Sequence, residues 1–155
     1  MMHIQNMTRK ILTVIGIFFL VLLIIFFISV PIVNDNSAKK EKKFLEELPL
    51  PADTELVESL SQAGKFTGNG NGMQYFAAIL IKSELSLEEL DFFYEPYRQN
   101  EWDCMIKKQE GQEIDVIEHG TITFKESLSS DENYFFVYSW GSGISPFDQL
   151  DLRGH

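Results

Sequence analysis

Residues 66–83 read FTGNGNGMQYFAAILIKS and join a glycine-rich run to a continuous apolar run. A dinucleotide-binding loop needs the spacing G-x-G-x-x-G between a strand and a helix, and a P-loop needs Gly-Lys-Ser/Thr. Gly68, Gly70 and Gly72 match neither pattern. Asn-Gly pairs are instead preferred in turns between strands. The stretch therefore predicts a turn that leads into a strand, and it gives no indication of a nucleotide partner.

The apolar run at residues 73–81 predicts a central strand. Both of its alternating sets of positions are apolar, which is typical of a strand covered on both faces of a sheet. Further strands are predicted at residues 54–66, 101–108, 114–124 and 134–140. With one helix after the second strand, the order is ββαβββ. The sequence thus predicts an α+β domain whose antiparallel sheet has about five strands and carries one packed helix.

That helix is predicted by local signals at its start. Ser86 and Glu89 have the S-x-x-E spacing of a capping box, in which each residue satisfies a free backbone N–H of the other. Leu85 and Leu90 lie where a hydrophobic staple places its two apolar side chains. Pro96 removes a backbone donor, so we expect the helix to end close to this residue.

Residues 11–30 form an apolar run without a charged residue. At about 1.5 Å per helical residue, this run reaches roughly 30 Å, the thickness of the hydrocarbon core of a bilayer. A cleaved signal peptide is the alternative, but its apolar region is usually about 7–15 residues long and ends at a small-residue cleavage site. The downstream segment Asn36-Ser37-Ala38 has asparagine where a small residue is required. We therefore expect an uncleaved, single-pass signal-anchor helix at residues 11–33 that lies in the lipid bilayer.

The predicted anchor divides the rest of the chain into three parts. Residues 1–10 form a short N-terminal tail, and residues 34–50 form a charged connector. The connector contains three apolar residues whose spacing suits a short helix resting on the membrane or on the domain: Phe44, Leu45 and Leu48. Residues 51–155 are expected to form the acidic α+β domain.

The orientation of the chain in the membrane is predicted from the residues that flank the anchor. Arg9 and Lys10 precede it, and four lysines follow it at residues 39–43. The count of basic residues alone favours a cytoplasmic C-terminus, but long domains are translocated largely regardless of charge. A basic pair directly before one apolar span is also the usual layout of a signal anchor. We expect the domain to lie outside the cytoplasm.

The chain is strongly acidic from residue 44, near the end of the connector, to its last residue. From residue 44 onward there are 21 acidic residues against 7 lysines and arginines, a formal net charge of −14. Such a surface repels nucleic acids and anionic lipid head groups. Nucleic acid is therefore excluded as an expected partner.

No catalytic set can be assembled from the sequence. Cys104 is the only cysteine, and a thiol–imidazole pair with His119 is conceivable. Cys104, however, alternates in phase with Trp102 and Ile106, as a buried small residue in a strand would. The run Trp140-Gly141-Ser142-Gly143 lacks the G-x-S-x-G spacing of a nucleophile elbow. We therefore expect no catalytic residues.

Metal and cofactor sites are likewise not predicted. Asp148, Asp151 and His155 lie close together in the sequence, but on a tail without a predicted element that would hold them rigidly. Asp115 and Glu118 are paired acids expected on the solvent side of a strand. One cysteine and three histidines cannot supply the spacing of a zinc site.

Aromatic residues are more numerous than one helix on one sheet requires. They have two interpretations, a packed core or an exposed binding patch, because tyrosine and tryptophan are enriched at interfaces. The residues concerned are Tyr94, Tyr97, Trp102, Tyr134, Phe135, Phe136, Tyr138 and Trp140.

Two stretches of the chain carry a resemblance. The segments LPLPADTELVESLSQAGKFTGNGNGMQYFAAILIKSELSLEEL at residues 48–90 and YSWGSGISPFDQLDLRGH at residues 138–155 resemble uncharacterised small single-span membrane proteins of Gram-positive bacteria. The resemblance implies a bacterial membrane protein with one small extracytoplasmic domain. It implies no activity, so no functional role is transferred to any residue.

Three functions remain open at this point. The first is a non-enzymatic accessory domain, tethered to the membrane, that binds another protein of the cell envelope or a ligand. The second is an immunity or inhibitor protein whose acidic surface neutralises a basic toxin or enzyme. The third is a small enzyme, which we rank last because no nucleophile, base and orienting group can be named together.

Overall fold

The computed structural model describes residues 2–141 and 145–155. The chain divides into two compact units, the first ending at Ile32 and the second running from Val33 to His155. A single long helix, α1 (Met2–Glu46), begins in the first unit and ends in the second.

The first unit consists of the N-terminal part of α1. From Ile11 to Ile28 its large apolar side chains are all between 39% and 65% exposed. Leaving so much apolar surface in water is unfavourable, at about 25 cal/mol for each Å². Among the described residues there is one helix that is long and apolar enough to cross a membrane, and it lies at the N-terminus, as predicted.

The second unit is built on one antiparallel sheet of four strands. They are β1 (Thr54–Gly64), β2 (Gln74–Ser83), β3 (Met105–Gln109) and β4 (Tyr134–Gly141). Their spatial order is β1-β2-β4-β3, so β2 and β4 are central and β1 and β3 form the edges. The α+β class and the antiparallel sheet are confirmed, but the described residues contain four strands rather than about five, so the order ββαβββ is one strand too long.

The missing strand is the one expected at residues 114–124. This segment makes only an isolated bridge between Glu113 and Thr123 and otherwise consists of turns and bends. Three of its apolar residues nevertheless are buried against the sheet, Ile114, Ile122 and Phe124. The apolar residues of this segment belong to a loop that covers one face of the sheet. Periodicity of apolar residues alone does not distinguish such a loop from a strand.

The central strands bury both of their faces, as the apolar pattern predicts. Phe76, Ala78 and Leu80 of β2 lie opposite Trp140, Tyr138 and Phe136 of β4 and pack under the covering loop. On the other face, a separate cluster of β2 and β4 residues packs against helical side chains. Its members are Ala77, Ile79, Ile81, Phe135 and Val137 from the sheet, with Leu45, Leu90, Tyr94 and Cys104 from elsewhere.

The second face of the sheet is covered by two helical segments rather than the one that we expected. Helix α2 (Leu87–Tyr94) begins with the predicted capping box, since the Ser86 hydroxyl accepts from the Glu89 N–H and the Glu89 carboxylate accepts from the Ser86 N–H. A short 3₁₀ helix, Glu95–Tyr97, follows it at Pro96. The last turns of α1 supply the second segment through Leu45, which is fully buried.

Residues 34–46, expected within a separate connector, are the C-terminal part of α1 and lie inside the second compact unit. Ala38 is buried together with Ala63, Met73 and Tyr75 of the β1–β2 region. The predicted domain start at residue 51 therefore lies 18 residues after the start of the compact unit at Val33. The difference arises because small and polar residues on one face of this helix, which resemble a linker in the sequence, pack against the sheet.

Candidate functional site

Two adjacent cavities of the second unit share the residues Trp102, Trp140 and Gly141 in their linings. The first has a volume of about 540 Å³ and is lined mostly by apolar surface, which includes Met105 and Tyr138. The second has a volume of about 510 Å³ and is more polar. Ligand sites in proteins commonly have volumes of about 300–1,000 Å³. We call the two cavities together the tryptophan groove.

One side of the Trp140 ring packs against aromatic residues of the core. It lies on β4 opposite Phe76 of β2, and the centroids of the two rings are 4.7 Å apart. The ring of Phe66 lies 6.2 Å away, centroid to centroid. Trp140 is only partly buried by these contacts, so the remaining indole surface lines the groove.

Trp102, in contrast, is 54% exposed, and within the described residues its indole stacks on no other ring. Its backbone is nevertheless fixed at two points. Its N–H donates to the Asn100 side chain at 2.8 Å, and its carbonyl accepts from the Trp140 N–H at 3.0 Å. The exposed indole therefore belongs to a loop whose backbone is fixed by hydrogen bonds, next to Trp140.

The turn at Cys104, on the C-terminal side of Trp102, is also fixed by hydrogen bonds. Cys104 has φ of +50°, a left-handed conformation that costs on the order of 1–3 kcal/mol outside glycine and that persists only where its surroundings impose it. Its N–H donates to the buried Ser139 hydroxyl at 3.1 Å. Its carbonyl accepts from the Arg98 guanidinium, which also pairs with Asp91 on α2. This turn sets the position of the Trp102 loop relative to β4.

Carboxylates are the only charged side chains that line the tryptophan groove in the described structure. Glu118 lines the first cavity, and Glu41, Glu101 and Asp103 line the second. None of the four takes part in an ion pair within the described residues. The groove is therefore a local concentration of negative charge next to two indole rings.

Asp103 and Glu41 are two carboxylates of the second cavity that influence each other electrostatically. Asp103 is only 6% exposed, and its single side-chain hydrogen bond within the described structure comes from the Asn100 amide at 2.8 Å. Burial raises the pKa of the Glu41 carboxyl, and the negative charge of Asp103 raises it further. Two carboxylates that lack a cation in a partly desolvated site repel each other. A positively charged group in the second cavity would relieve that repulsion.

The possible pair of Cys104 and His119 is not formed. Cys104 is fully buried in the cluster beneath α2, and burial raises the pKa of its thiol to about 11. His119 is exposed and hydrogen-bonded to the Gly68 carbonyl in the β1–β2 loop. The expectation that Cys104 is buried is confirmed. Its expected phase with Trp102 in a strand is wrong, because the left-handed turn at Cys104 precedes β3.

Of the C-terminal acids, Asp151 belongs to a hydrogen-bond network that connects the C-terminal segment to the rest of the second unit. The Asn34 amide donates to the Asp151 carboxylate at 2.9 Å and accepts from the Tyr75 hydroxyl at 2.9 Å. Asp151 also pairs with Arg153, which holds the pKa of the Asp151 carboxyl at about 2. The predicted tail is therefore fastened to α1 and β2. His155 bonds the Gln149 carbonyl, and the described residues contain no cluster of three or more acidic, histidine or cysteine side chains suited to a metal.

The remaining candidate residues lie apart from one another. Asp115 pairs with Lys107 at 2.6 Å, and Glu118 accepts from the Gly68 N–H at 2.8 Å. Both acids belong to the covering loop, so their expected position on a strand is wrong. Of the Trp-Gly-Ser-Gly run, Trp140 and Gly141 end β4, and the other two residues lie outside the described part of the chain.

The aromatic residues divide between the core and the groove. Five of the eight are buried: Tyr94, Tyr134, Phe135, Phe136 and Tyr138. Tyr97 and Trp102 are exposed, and Trp140 is partly buried. Most of these aromatic residues therefore belong to the packed core. The exposed remainder is concentrated at the tryptophan groove and the neighbouring 3₁₀ helix.

Sequence reasoning did not find the groove. The available signal was the segment RQNEWD at residues 98–103, in which a lone tryptophan lies between two acidic residues in a turn-forming context. An apolar residue between charged ones is also the pattern of a half-buried strand, so this signal alone does not distinguish an exposed tryptophan from a buried one. Comparisons with protein-family models, with curated proteins and with solved structures found no match to this chain.

Proposed function

We propose that this protein is a single-pass membrane protein whose second unit lies outside the cytoplasm and binds, without catalysis, another protein of the bacterial cell envelope. The membrane part of the proposal rests on the exposed apolar helix at residues 11–28. A tether of this kind confines the binding unit to one surface and raises its effective concentration for partners on that surface.

The observation that carries the binding role is the exposed indole of Trp102. A tryptophan side chain can bury about 150–250 Å², so an exposed fraction of 54% leaves on the order of 100 Å² uncovered. Covering that area would contribute about 2–3 kcal/mol to an association. The loop is already braced, so little further ordering is required on binding. Rigid, exposed tryptophans of this kind are typical anchors of protein interfaces.

The non-enzymatic part of the proposal is supported by the positions of the reactive side chains. The one thiol is buried and has a raised pKa, which disfavours the nucleophilic thiolate. His119, the imidazole considered as its partner, is exposed and hydrogen-bonded to the Gly68 carbonyl instead.

The acidic lining of the tryptophan groove favours a second candidate, an immunity or inhibitor protein that acts on a basic toxin or enzyme. Such a partner would be steered by the net negative charge and would bind with an association rate that falls as salt rises. The two candidates share the same groove and differ in the partner.

Membrane topology and fractionation test the first part of the proposal. The full-length protein should stay in the membrane fraction through a carbonate wash, and a reporter active only after export should be active when fused to residue 155. A soluble, shortened form would refute the anchor. A silent export reporter together with a fluorescent cytoplasmic fusion would refute the orientation.

A further inference from the structure

The two halves of the tryptophan groove differ in chemistry. The first cavity presents Met105, Val116 and Tyr138, whereas the second presents Glu41, Glu101 and Asp103. The tryptophans form walls of both. A single small molecule would have to satisfy an apolar site and an acidic site at once, whereas a chain of linked side chains can place a different residue in each.

We propose that the tryptophan groove binds an extended segment of a partner protein in which a lysine or arginine lies next to an apolar side chain. The apolar side chain occupies the cavity at Met105 and Tyr138, and the basic group occupies the cavity at Asp103. This inference deepens the proposed function, on which it rests for the assumption that the partner is a protein.

Charge complementarity identifies the occupant of the second cavity. Asp103 is buried, forms no ion pair within the described residues, and lies close enough to Glu41 to raise that residue's pKa. A lysine or arginine head group placed between them would turn a repulsive pair into an attractive set. The aliphatic stem of such a side chain would meanwhile lie along apolar surface such as Phe44, which lines the same cavity.

The tryptophans favour the same occupant. A lysine ammonium or arginine guanidinium is attracted to the face of an aromatic ring, and tryptophan is the strongest partner of this kind. Trp102 has its ring face available because no ring of the described structure stacks on it. A sugar would also stack on an indole and could donate its hydroxyls to the carboxylates, but unlike a basic side chain it would not neutralise their charge.

The test is a selection of random heptapeptides on the full-length protein in lipid nanodiscs, with a parallel selection on the Trp102→Ala variant. Peptides enriched only on the wild type should contain lysine or arginine beside an apolar residue. The chain has two tryptophans and both line the groove, so the resynthesised peptides should change the intrinsic tryptophan emission directly. We expect Trp102→Ala to weaken binding by about tenfold or more.

Two charge variants separate the acidic cavity from general surface charge. Glu41→Gln removes one groove carboxylate and should weaken peptide binding several-fold. Asp115→Asn removes a carboxylate from an exposed pair with Lys107 and should leave the affinity unchanged. Both substitutions are close in size to the original residue, and unchanged melting temperatures would show that both variants are folded.

Several results would overturn the proposal. Enriched peptides that are acidic or purely apolar, enrichment that is equal on Trp102→Ala, or no enrichment would each refute it. Spermidine that shifts the emission where no peptide does would assign the groove to a small amine instead. A failed selection on a protein with the expected topology would leave the membrane-tethered role standing, whereas a reversed topology would not affect peptide selection.

Discussion

Replacing Asp151 by asparagine should release the C-terminal segment from the rest of the second unit. The Asp151 carboxylate accepts from the Asn34 amide at 2.9 Å and from the Arg153 guanidinium at 2.7 Å. The substitution keeps the size of the side chain but removes its charge and turns one acceptor into a donor. Asn34 is fully buried, so if its amide loses the Asp151 carboxylate it cannot turn to water and keeps only its longer bond to the Phe147 carbonyl at 3.3 Å.

The expected loss follows from two magnitudes that describe the same contacts of the Asp151 carboxylate. A hydrogen bond to a charged group contributes about 1.5–3 kcal/mol. The pKa of Asp151 is lowered from 3.8 to about 2 in the folded protein, which corresponds to about 2 kcal/mol of stability at neutral pH. We therefore expect Asp151→Asn to lower the free energy of unfolding by about 2–3 kcal/mol at pH 7.

The loss should also depend on pH in a defined direction. A carboxyl whose pKa is lower in the folded state contributes fully above its unfolded pKa of 3.8, and the contribution disappears as the pH falls through about 2. The difference in stability between the wild type and Asp151→Asn should therefore be constant near neutral pH and should shrink between roughly pH 4 and pH 2.

Urea denaturation of the full chain in detergent, followed by tryptophan emission, measures this effect, since both tryptophans lie in the second unit. Asp115→Asn provides the matched control, because it makes the same change in an exposed pair with Lys107 and should cost no more than about 1 kcal/mol. Equal losses for the two variants, or a pH-independent loss at Asp151, would show that the charged contacts of Asp151 do not stabilise the second unit.

Three further predictions follow from single contacts. Tyr75→Phe should lower the free energy of unfolding by about 1–3 kcal/mol, whereas Tyr94→Phe should leave it unchanged or raise it, because only the first hydroxyl has a hydrogen-bond partner in the described structure. Gly154→Ala should destabilise the protein, since a Cβ there would lie 2.7 Å from the backbone of the β1–β2 loop, while Gly111→Ala has open space and should be neutral. The Cys104 thiol, buried and with a pKa of about 11, should react with thiol reagents only after unfolding.

Urea denaturation measures the first two of these predictions and a timed thiol-labelling assay measures the third. A larger loss for Tyr94→Phe than for Tyr75→Phe would contradict the hydrogen-bond assignment. Equal melting behaviour of the two glycine variants would contradict the close packing of the C-terminal segment. Rapid labelling of the native protein would show that Cys104 is accessible.

The parts of the fold that were predicted correctly are specified by neighbouring residues. The start of α2 depends on Ser86 and Glu89, which are three positions apart and bond each other. The burial of β2 on both faces depends on its own uninterrupted apolar run. Such signals act within one turn of helix or one strand and need no knowledge of the rest of the chain.

The parts that were missed depend on distant residues. Asn34 and Asp151 are 117 positions apart, and neither residue has a sequence context that indicates their hydrogen bond. The covering loop buries Ile114 and Phe124 without forming a strand, and periodicity alone does not reveal which partner buries a residue.

The groove was missed for a related reason. Its position depends on the left-handed turn at Cys104, a residue type that rarely adopts positive φ. The turn ends the apparent alternation with Trp102 and directs that side chain outward. The resulting site combines residues from α1, the Trp102 loop, the covering loop and β4, which become neighbours only in the folded protein.

Site-specific photocrosslinking in living cells tests directly whether this protein binds an envelope protein through the tryptophan groove. A photoreactive amino acid would replace Gln99, which is exposed, lines the second cavity and leaves both tryptophans in place. The control position is Phe92, which is 77% exposed on α2 and lines neither cavity. We expect a crosslink from position 99 to one protein segment that carries a lysine or arginine beside an apolar residue, and no such crosslink from position 92. Crosslinks from position 99 to lipid, glycan or acidic segments, or equal products from both positions, would contradict this binding mode.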